Sequence, residues 1–277
     1  MTRLQLANVT LCAADTRTPA IAAQALQRSM AGIDFGRVLL FTHGFVPAAP
    51  MPGIELVDIG PLRSAAEYSH FVLRRLPAFV QTSHVLVTQW DGFVTHPESW
   101  TDEFLEVDYI GAVWDDQPAE VSVGNGGFSL RSRRLLQAGL DVRITEEHPE
   151  DEMLARRHRA MIEQDHGVRF AAPALARRFA FENETPSAPT FGFHGPKNLP
   201  ALVDETTLSG WLAQLPNGFY ASRDARRLAR ALLRQGMANL AQTVIQRRRD
   251  AGRDDFNNRM LGATASVLQA WQARRTR

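Results

Sequence analysis

Two hydrophobic periods alternate along the first hundred residues. Leu4–Cys12 (LQLANVTLC), Arg37–Thr42 (RVLLFT), Ile54–Ile59 (IELVDI) and His84–Thr88 (HVLVT) are short apolar runs of strand type. Between them the period lengthens to that of a helix. Thr18-Pro19 reads as an N-cap followed by proline at the first helical position, Ile21, Ala25, Leu26 and Met30 share one face, and Gly32 marks the stop. Ser64 and Glu67 have capping-box spacing ahead of His70, Phe71, Leu73 and Leu76. Strands alternating with helices predict an α/β fold: a Rossmann-like, mainly parallel sheet flanked by helices. Ligands of such sheets bind beyond the carboxyl ends of the strands. That rim would carry Ala13–Asp15, Thr42–Gly44 and Gln89–Gly92, which raises Asp91 above most other carboxylates.

The pattern changes after residue 100. Tyr109–Trp114 (YIGAVW) predicts a short strand, and Val121–Ser132 (VSVGNGGFSLRS) a Gly-rich turn leading into another. Residues 149–166 predict one helix, with Pro149, Glu150, Asp151 and Glu152 in its first turn and Gly167 at its end. Residues 182–189 read as a polar loop, and Phe191–Phe193 as a last short strand before His194-Gly195-Pro196-Lys197. From Ser222 onward the chain predicts two or three Arg-rich amphipathic helices interrupted at Gly236 and Gly252. The expected organisation is therefore a domain over 1–220 and a helical C-terminal module over 221–277.

Charge sharpens that division. The net charge of +1 hides 13 Arg against 4 acidic residues in 222–277, about +9, and about −8 elsewhere. Segregation of this kind suits a polyanion or a subunit contact, and equally a solvated helical face. Of the 31 basic residues 30 are Arg, and Lys197 is the single lysine. The composition, 44% apolar and 22% charged over 277 residues, excludes a disordered or collagen-like chain. One cysteine, Cys12, excludes an internal disulfide and a Cys-rich metal site. No apolar run reaches the roughly 18–20 residues of a membrane span. No secretory signal pattern opens the chain, so a cytoplasmic location is expected.

Candidate chemistry sits in four segments. Gln89-Trp90-Asp91-Gly92 at a strand end offers a carboxylate for a divalent cation on a diphosphate, or an Asp that caps a turn. Gly124-Asn125-Gly126-Gly127-Phe128 offers unobstructed backbone N–H groups to a sugar or phosphate, or a plain hairpin turn. It is no GxGxxG fingerprint, and the chain has no GxxxxGK[ST], so nicotinamide-cofactor and P-loop sites are excluded. In His148-Pro149-Glu150-Asp151-Glu152, the helix dipole accounts for one or two acids, and the third leaves room for a catalytic base. His194-Gly195-Pro196-Lys197 joins a metal-capable imidazole to the one lysine, a point charge suited to phosphate. Trp90, Trp100 and Trp114 suit stacking on a base or sugar ring, or core packing.

Taken in order, NVTLCAADT, GRVLLFT, VTQWDGFV, DYIGAVW, VGNGGFSLRS, HPEDE and FGFHG resemble a DUF5672-type glycosyltransferase-like family across roughly residues 5–200. That family looks like the GT-A class of nucleotide-sugar transferases. The resemblance implies a GT-A-like fold and a hexosyltransferase-like activity. A sugar would pass from a UDP- or GDP-linked donor to a hydroxyl acceptor, assisted by Mn²⁺ or Mg²⁺. Gln89-Trp90-Asp91 matches the DxD motif of the class with its final carboxylate alone. Asp91 and His194 would then be metal ligands, with Gln89 and Trp90 lining the nucleotide, and Lys197 would approach the diphosphate. Pro149-Glu150-Asp151 resembles the xED motif of inverting members. It gives Asp151 as general base and Glu150 as an acceptor or structural ligand. Asn125, Gly126, Gly127 and Phe128 would wall the sugar and acceptor, while Ala13, Asp15 and Thr42 would hold base and ribose. No second acid fits a covalent nucleophile, which favours inversion. The competing expectation, motivated by the missing first acid, is a GT-A-like binding protein without turnover.

Overall fold

Neighbouring residues on the same strand feed two different cores. The protein, a computed structural model describing residues 2–275, has nine strands. They are β1 (Leu4–Ala14), β2 (Ile33–Thr42), β3 (Glu55–Asp58), β4 (His84–Thr88), β5 (Phe93–Val94), β6 (Tyr109–Ile110), β7 (Phe128–Ser132), β8 (Ala180–Phe181) and β9 (Gly192–Phe193). A six-stranded sheet runs β3-β2-β1-β4-β7-β6. The β3-β2-β1-β4 part is parallel, and β7 is antiparallel to both of its neighbours. Leu11, Ala13, Leu40 and Leu86 enter one core, while Cys12, Leu39, Phe41, Val85 and Val87 enter the other. This is the two-residue period of a strand buried on both faces. Burial also pushes the Cys12 thiol up to about 12.

Helices α1 (Pro19–Ser29), α2 (Ala65–His70), α3 (Arg133–Ala138), α4 (Glu150–Glu152), α5 (Arg159–His166) and α6 (Pro173–Phe179) complete this unit. The proline at the start of α1 and the Ser64 cap, whose oxygen accepts from the Glu67 N–H at 3.1 Å, stand as the sequence predicts. Two expectations are corrected. The helix expected over 149–166 is broken, because residues 153–157 form a π turn in which His158 N–H reaches Met153 O at 2.9 Å. The extra residue buries Met153, Leu154 and Ala155 together. The strand expected over 109–114 stops at Ile110, because Gly111 lies against Gly124 O, where a Cβ would sit at 2.0 Å.

The chain divides into two compact units, Met1–His194 and Gly195–Arg277, rather than at the expected 220/221. The second holds α7 (Leu199–Leu202), α8 (Glu205–Gln214), α9 (Asn217–Tyr220), α10 (Arg223–Arg234), α11 (Ala238–Asp250) and α12 (Phe256–Arg275). Arg247 and Arg248 in α11 explain the earlier boundary. Arg247 reaches Leu212 O at 3.1 Å, and Arg248 reaches Tyr220 O at 2.9 Å and Ser222 O at 2.8 Å. These bonds tie the segment before 221 to the Arg-rich helices. Gly236 and Gly252, both at positive φ, end α10 and α11 where the sequence places the breaks. Among the described residues, no helix is long and apolar enough to cross a membrane.

Candidate active site

Parallel pairing aligns the ends of β1, β2 and β4. Ala13 pairs with Leu40 and with Thr88, and Asp15 N–H donates to Phe41 O at 2.9 Å. The chain leaving β4 turns through Gln89–Gly92, with Gly92 N–H on Gln89 O, and re-enters as β5. There Phe93 pairs antiparallel with Phe193 of β9. That short ladder brings Asp91, two residues before Phe93, beside His194, one residue after Phe193.

His194 is the hub. Its Nε2 lies 3.5 Å from Asp91 Oδ1 and 3.3 Å from Gln89 Oε1, and its Nδ1 lies 3.9 Å from Glu182 Oε1. Burial opposes its charge, but Asp91, then Glu182 and Asp151, outweigh it and raise the imidazole to about 9. Asp91 is buried, and no hydrogen bond from the described residues reaches its Oδ1.

The glycine loop separates this hub from the acids of α4. A Cβ on Gly127 would sit 2.0 Å from His194 Nε2, and one on Gly126 would sit 2.3 Å from Glu150 Oε1. Gly126 N–H donates to Asp151 Oδ2 at 2.9 Å, and Glu152 N–H donates to Asp151 Oδ1 at 2.9 Å. Asn125, held at φ 66°, donates its amide to Glu182 Oε2 at 2.9 Å. The paired glycines are therefore required by contact on both flanks.

Beneath the loop lies a residue the sequence reading missed. Arg131 is fully buried, donating to Glu150 Oε1 at 3.0 Å, Ser129 Oγ at 2.9 Å and Gly126 O at 3.3 Å. Glu150 is buried too; burial pushes its carboxyl up against the pull of Arg131. Ser69 Oγ stands 3.5 Å from Glu150 Oε2 and 2.9 Å from His148 Nδ1. The available signal was Ser129 and Arg131, two polar residues on one face of a strand whose five residues are all buried. Glu182, the other omission, opens a polar loop and carried no comparable signal. It also lines a cavity of ≈ 240 Å³ with Val113, Arg177 and Phe181.

The remaining expected residues divide. Thr42 is buried at the rim, and its Oγ1 has no hydrogen bond among the described residues. Gln89 and Trp90 are half-buried in the turn, and Ala13 is buried in β1. Asp15 faces its own turn: it accepts from Arg17 N–H and Thr18 N–H, both at 2.7 Å, while Thr18, the N-cap of α1, makes no side-chain capping bond. Phe128 points into the core, 5.3 Å from the Phe179 ring and 6.1 Å from Phe191, instead of walling a sugar. Trp100 packs on Phe104 and Phe191, and Trp114 lies over Gly124. Lys197 belongs to a single 3₁₀ turn, Pro196–Asn198, at the start of the second unit.

The donor set suits a divalent cation, although not as a cluster of acids. Among the described residues there is no metal-type group of three His, Cys, Asp or Glu. The third donor is the amide oxygen of Gln89. With buried Asp91 Oδ1 and the His194 imidazole, which must first give up its proton, it makes a mixed O/N set that Mn²⁺ accepts, while Mg²⁺ would rely on the two oxygens.

Several solved structures resemble this one. An active-site mutant of LgtC, a galactosyltransferase, is 11% identical, with a TM-score of 0.43 over 76% of this chain and 98% of that one. A glycosyltransferase involved in glycosylation of the major capsid of PBCV-1 is 12% identical, with a TM-score of 0.43 over 67% and 92%. Apo GlyE of Streptococcus pneumoniae, also a glycosyltransferase, is 14% identical, with a TM-score of 0.41 over 77% and 60%. Each is a likeness of fold. Among curated proteins no sequence matches the chain. The family described as "Protein of unknown function (DUF5672)" matches residues 53–194, half of the chain, and that span holds Gln89, Asp91, the glycine loop, Arg131, Glu150, Asp151 and His194. The chain belongs to the DUF5672 family.

Proposed function

We propose that this site transfers a sugar from a nucleoside diphosphate to a hydroxyl acceptor, with inversion. One observation carries the reading: the backbone of two adjacent glycines touches His194 on one flank and the Glu150–Asp151 pair on the other. That proximity supports assigning charge control of a leaving diphosphate and proton acceptance from a hydroxyl to neighbouring residues. Gln89, Asp91 and His194 are the residues that would hold Mn²⁺ or Mg²⁺. Such an ion neutralises the charge that develops on a departing diphosphate.

The chain's own groups do the rest. Asp151 is aimed by the N–H groups of Gly126 and Glu152 and takes the proton of the acceptor hydroxyl. Glu150 is a buried support rather than an acceptor ligand, since it lies out of solvent against Arg131 and Ser69, whereas Asp151 stays part-exposed. Thr42 Oγ1 and Asn125 Oδ1 have no hydrogen bond among the described residues and supply polar contacts to the donor.

A panel of UDP- and GDP-sugars incubated with Mn²⁺, read as released nucleotide, tests the proposal. Donor hydrolysis is expected, and Asp91→Ala should abolish it. With an acceptor in hand, Asp151→Asn should lower transfer roughly 10²–10⁴-fold, the usual weight of a positioned base. Undiminished transfer by Asp151→Asn would overturn the assignment of the base. Nucleotide that binds but is never released from any sugar would favour a binding protein.

A further inference from the structure

We propose that the ≈ 240 Å³ cavity walled by Glu182 is the acceptor subsite, and that it takes a neutral pyranose ring with its hydroxyls unsubstituted. That such a ring is the acceptor rests on the transfer proposed above; that it binds here does not.

The cavity adjoins the chain entering the glycine loop at two points. Glu182 Oε2 accepts the Asn125 amide at 2.9 Å, and Val113, elsewhere in the lining, forms an antiparallel bridge with Val123. One residue beyond Asn125, the Gly126 N–H donates to Asp151. A ligand in the cavity therefore lies against the segment that aims the base.

The lining selects the ligand's chemistry. Much of it is apolar, with Val113, Ala180, Phe181 and Pro189, which suits the C–H face of a ring better than a charged chain. Glu182 supplies the polar contact next to the loop. An ionised carboxylate only accepts hydrogen bonds, so it calls for donors such as the hydroxyls of a sugar. Asn125 imposes the same rule beside it. Its amide nitrogen is committed to Glu182, which leaves Oδ1 as an acceptor, buried and with no hydrogen bond among the described residues. Both groups ask for O–H donors, and a phosphate or carboxylate has none to give.

The arginines of the lining do not reverse that preference. Arg177 is paired with Glu184 at 3.3 Å and Asp115 at 3.8 Å, and Arg178 with Glu103 at 2.8 Å. Their charge is met by the protein's own carboxylates. Volume limits the size: the space lies below the roughly 300–1,000 Å³ of sites for drug-sized ligands, which fits one ring and not a nucleotide.

Saturation-transfer NMR with no donor present tests the binding, using methyl hexopyranosides, the corresponding hexose phosphates and cyclohexanol. At least one neutral pyranoside should bind about tenfold or more tightly than its phosphate and than cyclohexanol, the weight of one hydrogen bond to a charged group. Ala188→Trp and Ser187→Trp each set an indole over the cavity from an exposed loop position. Each should weaken pyranoside binding by a similar factor of about ten, with unchanged melting and with Mn²⁺-dependent UDP or GDP binding at the wild-type level. Absence of pyranoside binding, undiminished binding in both Trp variants, or preference for the phosphate or for cyclohexanol overturns the proposal. Donor hydrolysis by a protein that binds no pyranoside removes this subsite and leaves transfer standing. Pyranoside binding that both Trp variants lose, in a protein that releases no nucleotide from any donor, keeps the sugar site and removes transfer instead.

Discussion

At the scale of single residues, the site is built by what cannot be enlarged. Gly127 has no need of unusual backbone angles, yet a methyl group there would meet His194 Nε2 at 2.0 Å. Gly127→Ala must therefore move the imidazole away from Asp91 and Gln89. The expected outcome is loss of Mn²⁺-dependent UDP or GDP binding by at least about tenfold, measured by calorimetry, with a melting shift of a few degrees. Binding at the wild-type level would show that His194 is not needed where it stands. Arg131 supports a different prediction. Arg131→Met leaves Glu150 buried without its partner, which should cost about 3–5 kcal/mol of stability in denaturant unfolding. Replacing both residues, Arg131→Met with Glu150→Leu, should recover much of that loss, because the unpaired charge is gone. A double variant as unstable as the sum of the two single ones would mean that the two side chains contribute independently and that an unpaired charge is not what the single variants suffer from. The acids and the imidazole were legible in the sequence because their residue types announce their chemistry. Arg131 was not, since its meaning depends on knowing that both faces of β7 are covered.

Elements were legible where one hydrophobic period ran without interruption, as in β1, β2 and β4 and in α1. They were misread where backbone geometry departs locally: the π turn inside 149–166 and the bend after Ile110 are set by tertiary contacts that no window of sequence contains. The rim was predictable because parallel register fixes which residues leave the sheet together. The Asp91–His194 meeting was not, because it depends on a two-residue ladder between β5 and β9. The opposite end of β4 supports a prediction of its own. His84, buried at the first position of that strand, has its pKa lowered by burial, against the pull of the Val107 carbonyl and Asp108. The unfolded chain takes up a proton near the ordinary 6.5 while the folded chain resists it. Lowering the pH through and below 6.5 therefore favours unfolding, and stability is regained as the pH rises back through that window. Melting temperatures between about pH 7.5 and 5 should fall less steeply for His84→Gln than for wild type. Parallel slopes would rule out His84 as a source of the dependence.

At the scale of the whole molecule, the two units carry opposite formal charge, −7 over 1–194 and +8 over 195–277. The first is built round a sheet with a core on each face, and the second round helices tied by buried arginine. Arg248 in α11 is the clearest tie. Its guanidinium satisfies two carbonyls where α9 hands over to α10, and also Asn258 at the start of α12. A reading of composition alone treats arginines in this segment as a solvated face, whereas this one is buried and holds three helices. Arg248→Met would remove all three bonds and leave Tyr220 O and Ser222 O unsatisfied in the interior. At about 1–3 kcal/mol for each orphaned group, the loss should reach several kcal/mol, and Arg248→Lys should restore little because an ammonium lacks the fork that reaches both carbonyls. Hydrogen exchange is the decisive measurement. Protection should fall across α10, α11 and the first turns of α12 in Arg248→Met, while amides of β1, β2 and β4 keep theirs, as expected of domains with their own cores. Uniform loss over both units would instead mean that the chain unfolds as one cooperative body, and that the division at His194/Gly195 has no energetic counterpart.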